Sequence, residues 1–182
     1  MTAAYRLPEA FETERYRLRR LRVEDAPAIF DAYASDPAVT KYLTWKPSET
    51  VAETAAVLKI LSSNWDRGES FPMVAFHRKQ PEDLLGMFEA RLIGSRVNYG
   101  YVLKAAAWGK GCASEIMRAL IPHALSHPEI FRTEAYCDVD NPASARVLEK
   151  AGMIREGTLR RYLVHPNVSE EPRDCFVYSK VA

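Results

Sequence analysis

Chemistry that needs no charged side chain is available at Gly109 and Gly111, two glycines one residue apart in Ala107-Trp108-Gly109-Lys110-Gly111-Cys112-Ala113-Ser114-Glu115. Such a pair leaves backbone bare for a ligand. Directly downstream, Ala113, Ile116, Met117, Leu120, Ile121, Ala124 and Leu125 recur at the spacing of an amphipathic helix. The glycines therefore stand where that helix begins, at N–H groups with no helical partner and at the positive end of the helix dipole. A phosphate or pyrophosphate can be held there without a basic side chain. Two other readings fit the glycine pair taken alone: a tight strand-to-helix turn with no ligand, and the start of a G-x-G-x-x-G dinucleotide loop. Against the second, the third glycine position is Ser114 and the turn lies in the second half of the chain.

A second helix start carries polar groups as well. Asn141-Pro142 reads as N-cap and first helical residue, with Ser144 in the first turn. The three cysteines, Cys112, Cys137 and Cys175, are odd in number and lack C-x-x-C spacing, so they read as reduced thiols rather than a disulfide framework or zinc knuckle. His123 and His127 stand four apart, a spacing that can hold a metal, but no carboxylate motif accompanies them. They fall in the last turn before Pro128, where histidine suits a helix C-terminus, and no metal is expected.

The elements that must position these residues can be read in order. Residues 1–13 look like a loose arm, and Arg15 to Arg22 reads as a first strand whose arginines face solvent or a charged edge. Glu24 or Asp25 can cap a helix to about Ala34, buried through Ile29, Phe30 and Tyr33. After a loop through Asp36-Pro37, Tyr42 to Trp45 is apolar enough either to wall a substrate pocket or to pack under the next helix. That helix opens with the Thr50, Glu53 capping-box spacing and ends at Gly68. Phe71 to Lys79, Leu84 to Ile93 and Arg96 to Lys104 follow as an antiparallel meander leading into the glycine loop. Beyond the central helix, Phe131 to Val139 alternates as a strand, which requires a parallel crossover inside an otherwise antiparallel sheet. A helix from Asn141 to Gly152 and two final strands, Met153 to Val164 and Cys175 to Val181, complete the chain. This is an α/β (α+β) fold of about seven strands and four helices in a single domain spanning residues 1–182.

Composition narrows the function classes. The chain has 182 residues, 47% apolar and 27% charged, with a formal net charge of +1, so no global field draws it to nucleic acid or an anionic membrane. No run of 18 apolar residues occurs, and Met1 to Pro8 lacks the apolar core of a signal peptide, so the expected location is cytoplasmic.

The order of elements and motifs resembles the GNAT superfamily of acetyl-CoA-dependent N-acetyltransferases. Gly100-Tyr101-Val102-Leu103, Trp108-Gly109-Lys110-Gly111 with Ala113-Ser114-Glu115, and Asn141 to Met153 are similar to the ribosomal-protein alanine and serine N-acetyltransferase branch. The likeness covers roughly residues 13–182. It implies acetyl-CoA as co-substrate, with pyrophosphate on the backbone of Gly109, Lys110, Gly111, Cys112 and Ala113, beside Trp108 and Ser114. The family's usual Gln or Arg three residues before the first glycine is replaced by Ala106. The resemblance also implies that the strand before the loop splays from its parallel neighbour. Pantetheine then lies along Tyr101, Val102 and Leu103, reaches Asn141, and has its carbonyl polarised by a backbone amide.

Transfer of acetyl to an amine by direct attack needs a proton for the departing thiolate. Many relatives supply it from a tyrosine where Leu148 stands here; in the branch this chain resembles, a serine matching Ser144 fills the role. The general base is open: Glu89 could act through water, and Glu134, Asp138, Glu170 and Glu171 are alternatives. A covalent acetyl carrier at Cys112 is conceivable, since a helix N-terminus lowers a thiol's pKa, but in the family that position packs by the phosphates rather than the thioester. The acceptor expected is a primary amine, of a protein N-terminus or a small molecule, near loops 42–45 and 165–174, where Tyr42 and Trp45 are candidate contacts. The resemblance also admits a homodimer. A non-catalytic acyl-CoA-binding module that regulates a partner would use the same motifs.

Overall fold

The computed structural model describes residues 5–182. Eight strands form one sheet in the order β1-β2-β3-β4-β5-β6-β8-β7. They are β1 (Ala10–Glu12), β2 (Tyr16–Arg20), β3 (Ser70–His77), β4 (Gln80–Ile93), β5 (Arg96–Leu103), β6 (Arg132–Asp138), β7 (Ile154–Leu163) and β8 (Arg173–Val181). Every neighbouring pair is antiparallel except β5 and β6.

The expected loose arm is corrected. Its first four residues lie outside the described ones, but Tyr5 and Leu7 are buried in the core, and β1 pairs with β2. The arm orders because β2 offers an unpaired edge and the sheet offers apolar cover. β2 is accordingly interior, and its arginines are not a free charged edge: Arg19 grips Asp25, and Arg20 bonds Asp66 and Glu9.

The first helical stretch is also less regular than its periodicity suggests. A 3-10 turn (Val23–Asp25) passes into α1 (Ala26–Ile29) and then a π turn (Phe30–Ala34). The Asp25 carboxylate accepts from Arg22 N–H, one turn earlier than a cap for α1 would. A short α2 (Pro37–Thr40) follows, capped by Asp36 at the N–H of Ala38.

The longer helices begin and end where local rules place them. α3 (Val51–Arg67) starts on Thr50, whose hydroxyl accepts from Glu53 N–H, and stops at Gly68. α4 (Cys112–Leu125) starts after Gly111, and α5 (Pro142–Lys150) after Asn141, whose side chain accepts from Ser144 N–H. His127 falls just past α4; its ring meets Tyr5 edge-on, while that of His123 meets Phe11.

Alternation along the strands buries both sheet faces. Phe71, Phe88, Tyr99 and Ala135 pack with Ile116, Met117, Leu120 and Ile121 of α4. Val74, Leu84 and Val102 pack with Ile29, Tyr33 and Leu58 of the α1 and α3 layer. Each fully buried aliphatic or aromatic side chain contributes about 1.5–3 kcal/mol, so both layers hold the sheet firmly around the β5–β6 seam.

Candidate active site

The site arises where that seam fails. β5 and β6 pair from Arg96↔Arg132 to Tyr99↔Ala135 and no further. Beyond this point β5 stays with β4 through Leu103↔Gly86, while β6 stays with β8 through Asp138↔Cys175. The diverging strands open a cavity of about 510 Å3.

Tyr101, Val102 and Leu103 form one wall of this cavity, and Trp108, Gly109 and Gly111 curve around its end. The first turn of α4, Cys112, Ala113 and Ser114, faces it as well. Gly109 and Gly111 have φ of 72° and 78°, conformations that a side chain rarely adopts. Gly111 is the N-cap of α4 and supplies no side-chain acceptor. The first helical bond runs from Glu115 N–H to Gly111 O at 3.0 Å, so the amides of Cys112, Ala113 and Ser114 are left for an outside acceptor. An uncapped helix end of this kind suits an anion. Lys41, Arg146 and Lys150 line the same cavity, whereas among the described residues no Asp, Glu or His does.

The glycine loop is braced from the far end of the chain. Arg15 donates from Nη1 to Lys110 O at 3.2 Å, and its Nε meets Glu115 at 2.6 Å. Glu115 also accepts from Thr13 Oγ1 at 2.7 Å and Arg15 N–H at 2.9 Å. Trp108 is spent on structure at its nitrogen, donating to Leu103 O at 2.9 Å, while half of its surface stays exposed. Lys110, between the two glycines, is not among the residues that line the cavity.

Asn141 and Ser144 also line the cavity. Asn141 Oδ1 accepts from Ser144 N–H at 3.1 Å, fixing the first turn of α5. Ser144 Oγ lies 2.7 Å from Tyr101 OH, a link across the seam that spacing in sequence cannot show. Leu148, where many relatives carry tyrosine, is fully buried in the core.

The remaining candidates are placed as follows. Glu89 is buried on β4 against Arg91 and Gly100, outside the cavity lining and next to Phe88, which turns to the opposite face. Glu134 is held by Arg96, Arg132 and Tyr136. Asp138 binds Arg173 at 2.6 and 3.0 Å; burial pushes its pKa up, but Arg173 and the Asp140 amide bring it below the ordinary value. Glu171 pairs with Arg161, and Glu170 is exposed. Tyr42 lines the cavity, with Lys41 Nζ 5.0 Å from its ring centre. Trp45 instead packs on the α1 and α3 layer, and its carbonyl, like that of Thr40, accepts from Asn167 at 2.8 Å. Loops 42–45 and 165–174 are thus one connected structure.

The covalent role for Cys112 is corrected. Its thiol is buried, and that burial pushes its pKa up to about 12, outweighing Tyr16 and Arg15. No group of His, Cys, Asp and Glu able to hold a metal occurs among the described residues.

A sheet split over an uncapped helix end, with cations around it and hydroxyls on its wall, is suited to a phosphate-bearing ligand. The chain belongs to the acetyltransferase (GNAT) domain family, which it matches over residues 15–154. It is 30% identical to an uncharacterized N-acetyltransferase of Bacillus licheniformis, over 85% of this chain and 87% of that one. Its fold is also that of RimL, a ribosomal L7/L12 alpha-N-protein acetyltransferase solved in complex with coenzyme A. That likeness has a TM-score of 0.79 at 22% identity, covering 93% of this chain and 95% of the other. A spermidine N-acetyltransferase from Vibrio cholerae, solved with CoA and spermine, shares the fold with a TM-score of 0.75. It is 16% identical, covering 93% of this chain and 96% of the other. This chain is an acetyl-CoA-dependent N-acetyltransferase.

Proposed function

We propose that the enzyme acetylates a primary amine, either a protein N-terminal α-amine or a small-molecule amine, by direct attack within a ternary complex, and that Ser144 protonates the departing thiolate. The observation carrying this reading is the cavity along the β5–β6 split, lined both by the uncapped end of α4 and by Ser144. Amides of Gly109 to Ser114 hold the pyrophosphate, with Lys41, Arg146 and Lys150 adding charge at the rim. Past Tyr99, β5 has no partner strand on its split side, so the backbone N–H groups of Tyr101 and Leu103, which alternate away from β4, are open to polarise the thioester carbonyl. The thioester supplies the acetyl group and its sulfur takes the proton. Asn141 contacts pantetheine while capping α5. Like-folded proteins are named for a ribosomal-protein N-terminus in one case and a polyamine in another, which supports the amine class without choosing within it.

We place the enzyme in the cytoplasm, without nucleic acid or membrane partners and with a homodimer as its assembly; no helix among the described residues is long and apolar enough to cross a membrane. The test is release of free thiol from acetyl-CoA across peptides with free α-amines, polyamines and other small amines. Turnover with at least one class is expected, and Ser144→Ala should lower it by about a hundredfold, the scale of one general acid, with acetyl-CoA affinity kept. Binding without turnover across the whole panel would favour a regulatory acyl-CoA-binding module instead.

A further inference from the structure

We infer that Tyr101 is a positioning residue whose phenol orients the Ser144 hydroxyl so that its proton faces the thiolate; this rests on the proton-donor reading of Ser144. Tyr101 OH is 2.7 Å from Ser144 Oγ and 3.3 Å from Ser144 O. Burial raises the phenol pKa far above the working range, although the Ser144 hydroxyl pulls it down, so Tyr101 stays neutral with one proton to place. The ring is fixed by stacking on Phe88, with centres 5.8 Å apart and planes at 25°.

Two hydroxyls share one hydrogen bond, and its direction decides the chemistry. If Ser144 donates to Tyr101, the serine proton is engaged and Tyr101 turns its own to the Ser144 carbonyl. If Tyr101 donates to Ser144 Oγ, the serine proton is released toward the cavity that both residues line. Negative charge developing on sulfur favours the second arrangement. In the transfer, the amine nitrogen bonds the carbonyl carbon, the carbon–sulfur bond breaks with its electron pair going to sulfur, and sulfur takes the Ser144 proton. The amine's surplus proton returns to Ser144 through solvent. Tyr101 keeps its proton throughout, as its raised pKa requires. Without the phenol, a first-turn serine turns back toward its own helix's carbonyls.

Other groups facing the pair do not compete for the role. Cys137 lies beside Ser144, but burial pushes its thiol up to about 12 and keeps it neutral. Tyr178 is committed to Glu149, to which it donates at 2.9 Å.

Tyr101→Phe retains the ring and its stacking and removes one oxygen, so it separates packing from orientation. We expect kcat to fall about three- to tenfold, the scale of one hydrogen bond, with KM for acetyl-CoA within about twofold. In a Ser144→Ala background the same change should have no further effect on kcat. A readout free of turnover uses coenzyme A alone: the pH at which the bound thiol ionises, followed by thiolate absorbance. It should rise in Tyr101→Phe and in Ser144→Ala, and no further in the double variant.

An unaffected kcat in Tyr101→Phe, or an equal loss in both backgrounds, overturns the positioning role alone. A Ser144→Ala enzyme as active as the parent overturns the proton-donor reading and the positioning role together.

Discussion

Replacing Glu115 by alanine should weaken both the fold and the grip on acetyl-CoA. Its carboxylate accepts from Thr13 Oγ1, Arg15 N–H and Arg15 Nε at 2.7, 2.9 and 2.6 Å. The first two bonds contribute about 1 kcal/mol each, while the guanidinium pair, with Arg15 largely in water, adds about 0–1 kcal/mol. The loss of about 2–3 kcal/mol corresponds to roughly 5–10 °C in Tm for a chain of this size. The same change frees Arg15 from the side of the glycine loop, where it also holds Lys110 O. A loosened loop must be reordered on binding, and about 1 kcal/mol of that cost is a fivefold weaker Kd.

The pH dependence has a definite sign. Burial pushes the Glu115 carboxyl up, but the amide and guanidinium of Arg15 and the Thr13 hydroxyl bring it below 4.5. A depressed folded pKa gives stability that is complete above the ordinary value and lost as pH falls through the folded one. Parent and variant should therefore melt further apart at neutral pH than below pH 4.5. Melting by circular dichroism across pH, with calorimetric titration of acetyl-CoA, checks all three outcomes. A variant within about 1 °C of the parent, with unchanged affinity, would refute the brace.

Further outcomes follow from neighbouring groups. Cys112→Ala should keep full turnover, and denaturing mass spectrometry should find no protein-bound acetyl in the parent, because a thiol pushed up to about 12 is not a nucleophile at neutral pH. Reversing Arg146 and Lys150 together to glutamate should raise KM for acetyl-CoA about tenfold with kcat kept, the rise shrinking at high salt. Arg173→Ala leaves Asp138, whose side chain has no exposure, with only the Asp140 amide and the His165 ring beside it. It should destabilise the fold at neutral pH, read by denaturant unfolding, and less so in acid, where the depressed Asp138 pKa no longer separates the two proteins.

What could be read before the structure follows from the range of each interaction. Thr50 with Glu53, Asn141 with Pro142, and Gly111 ahead of α4 act within one helical turn, so their roles are written in adjacent residues. β1 is different: Ala10-Phe11-Glu12 shows no alternation, and it becomes a strand only because β2 lies beside it. The glycine loop and the uncapped start of α4 were legible for the same local reason. Arg15 meets Glu115 across 100 positions and Tyr101 meets Ser144 across 43, and neither pairing leaves a periodic trace. Cys112 shows a local rule losing to tertiary context, since the helix end favours a thiolate but burial against the sheet favours the thiol more.

The most direct test of the central claim is the amide proton–nitrogen spectrum of the isotope-labelled enzyme during titration with coenzyme A. Saturable shifts should be largest at Gly109 to Ser114, at Tyr101 to Leu103 and at Asn141 to Ser144. Binding that leaves those amides unmoved, or shifts concentrated in the second cavity lined by Asp31, Asp83 and Lys104, would contradict it.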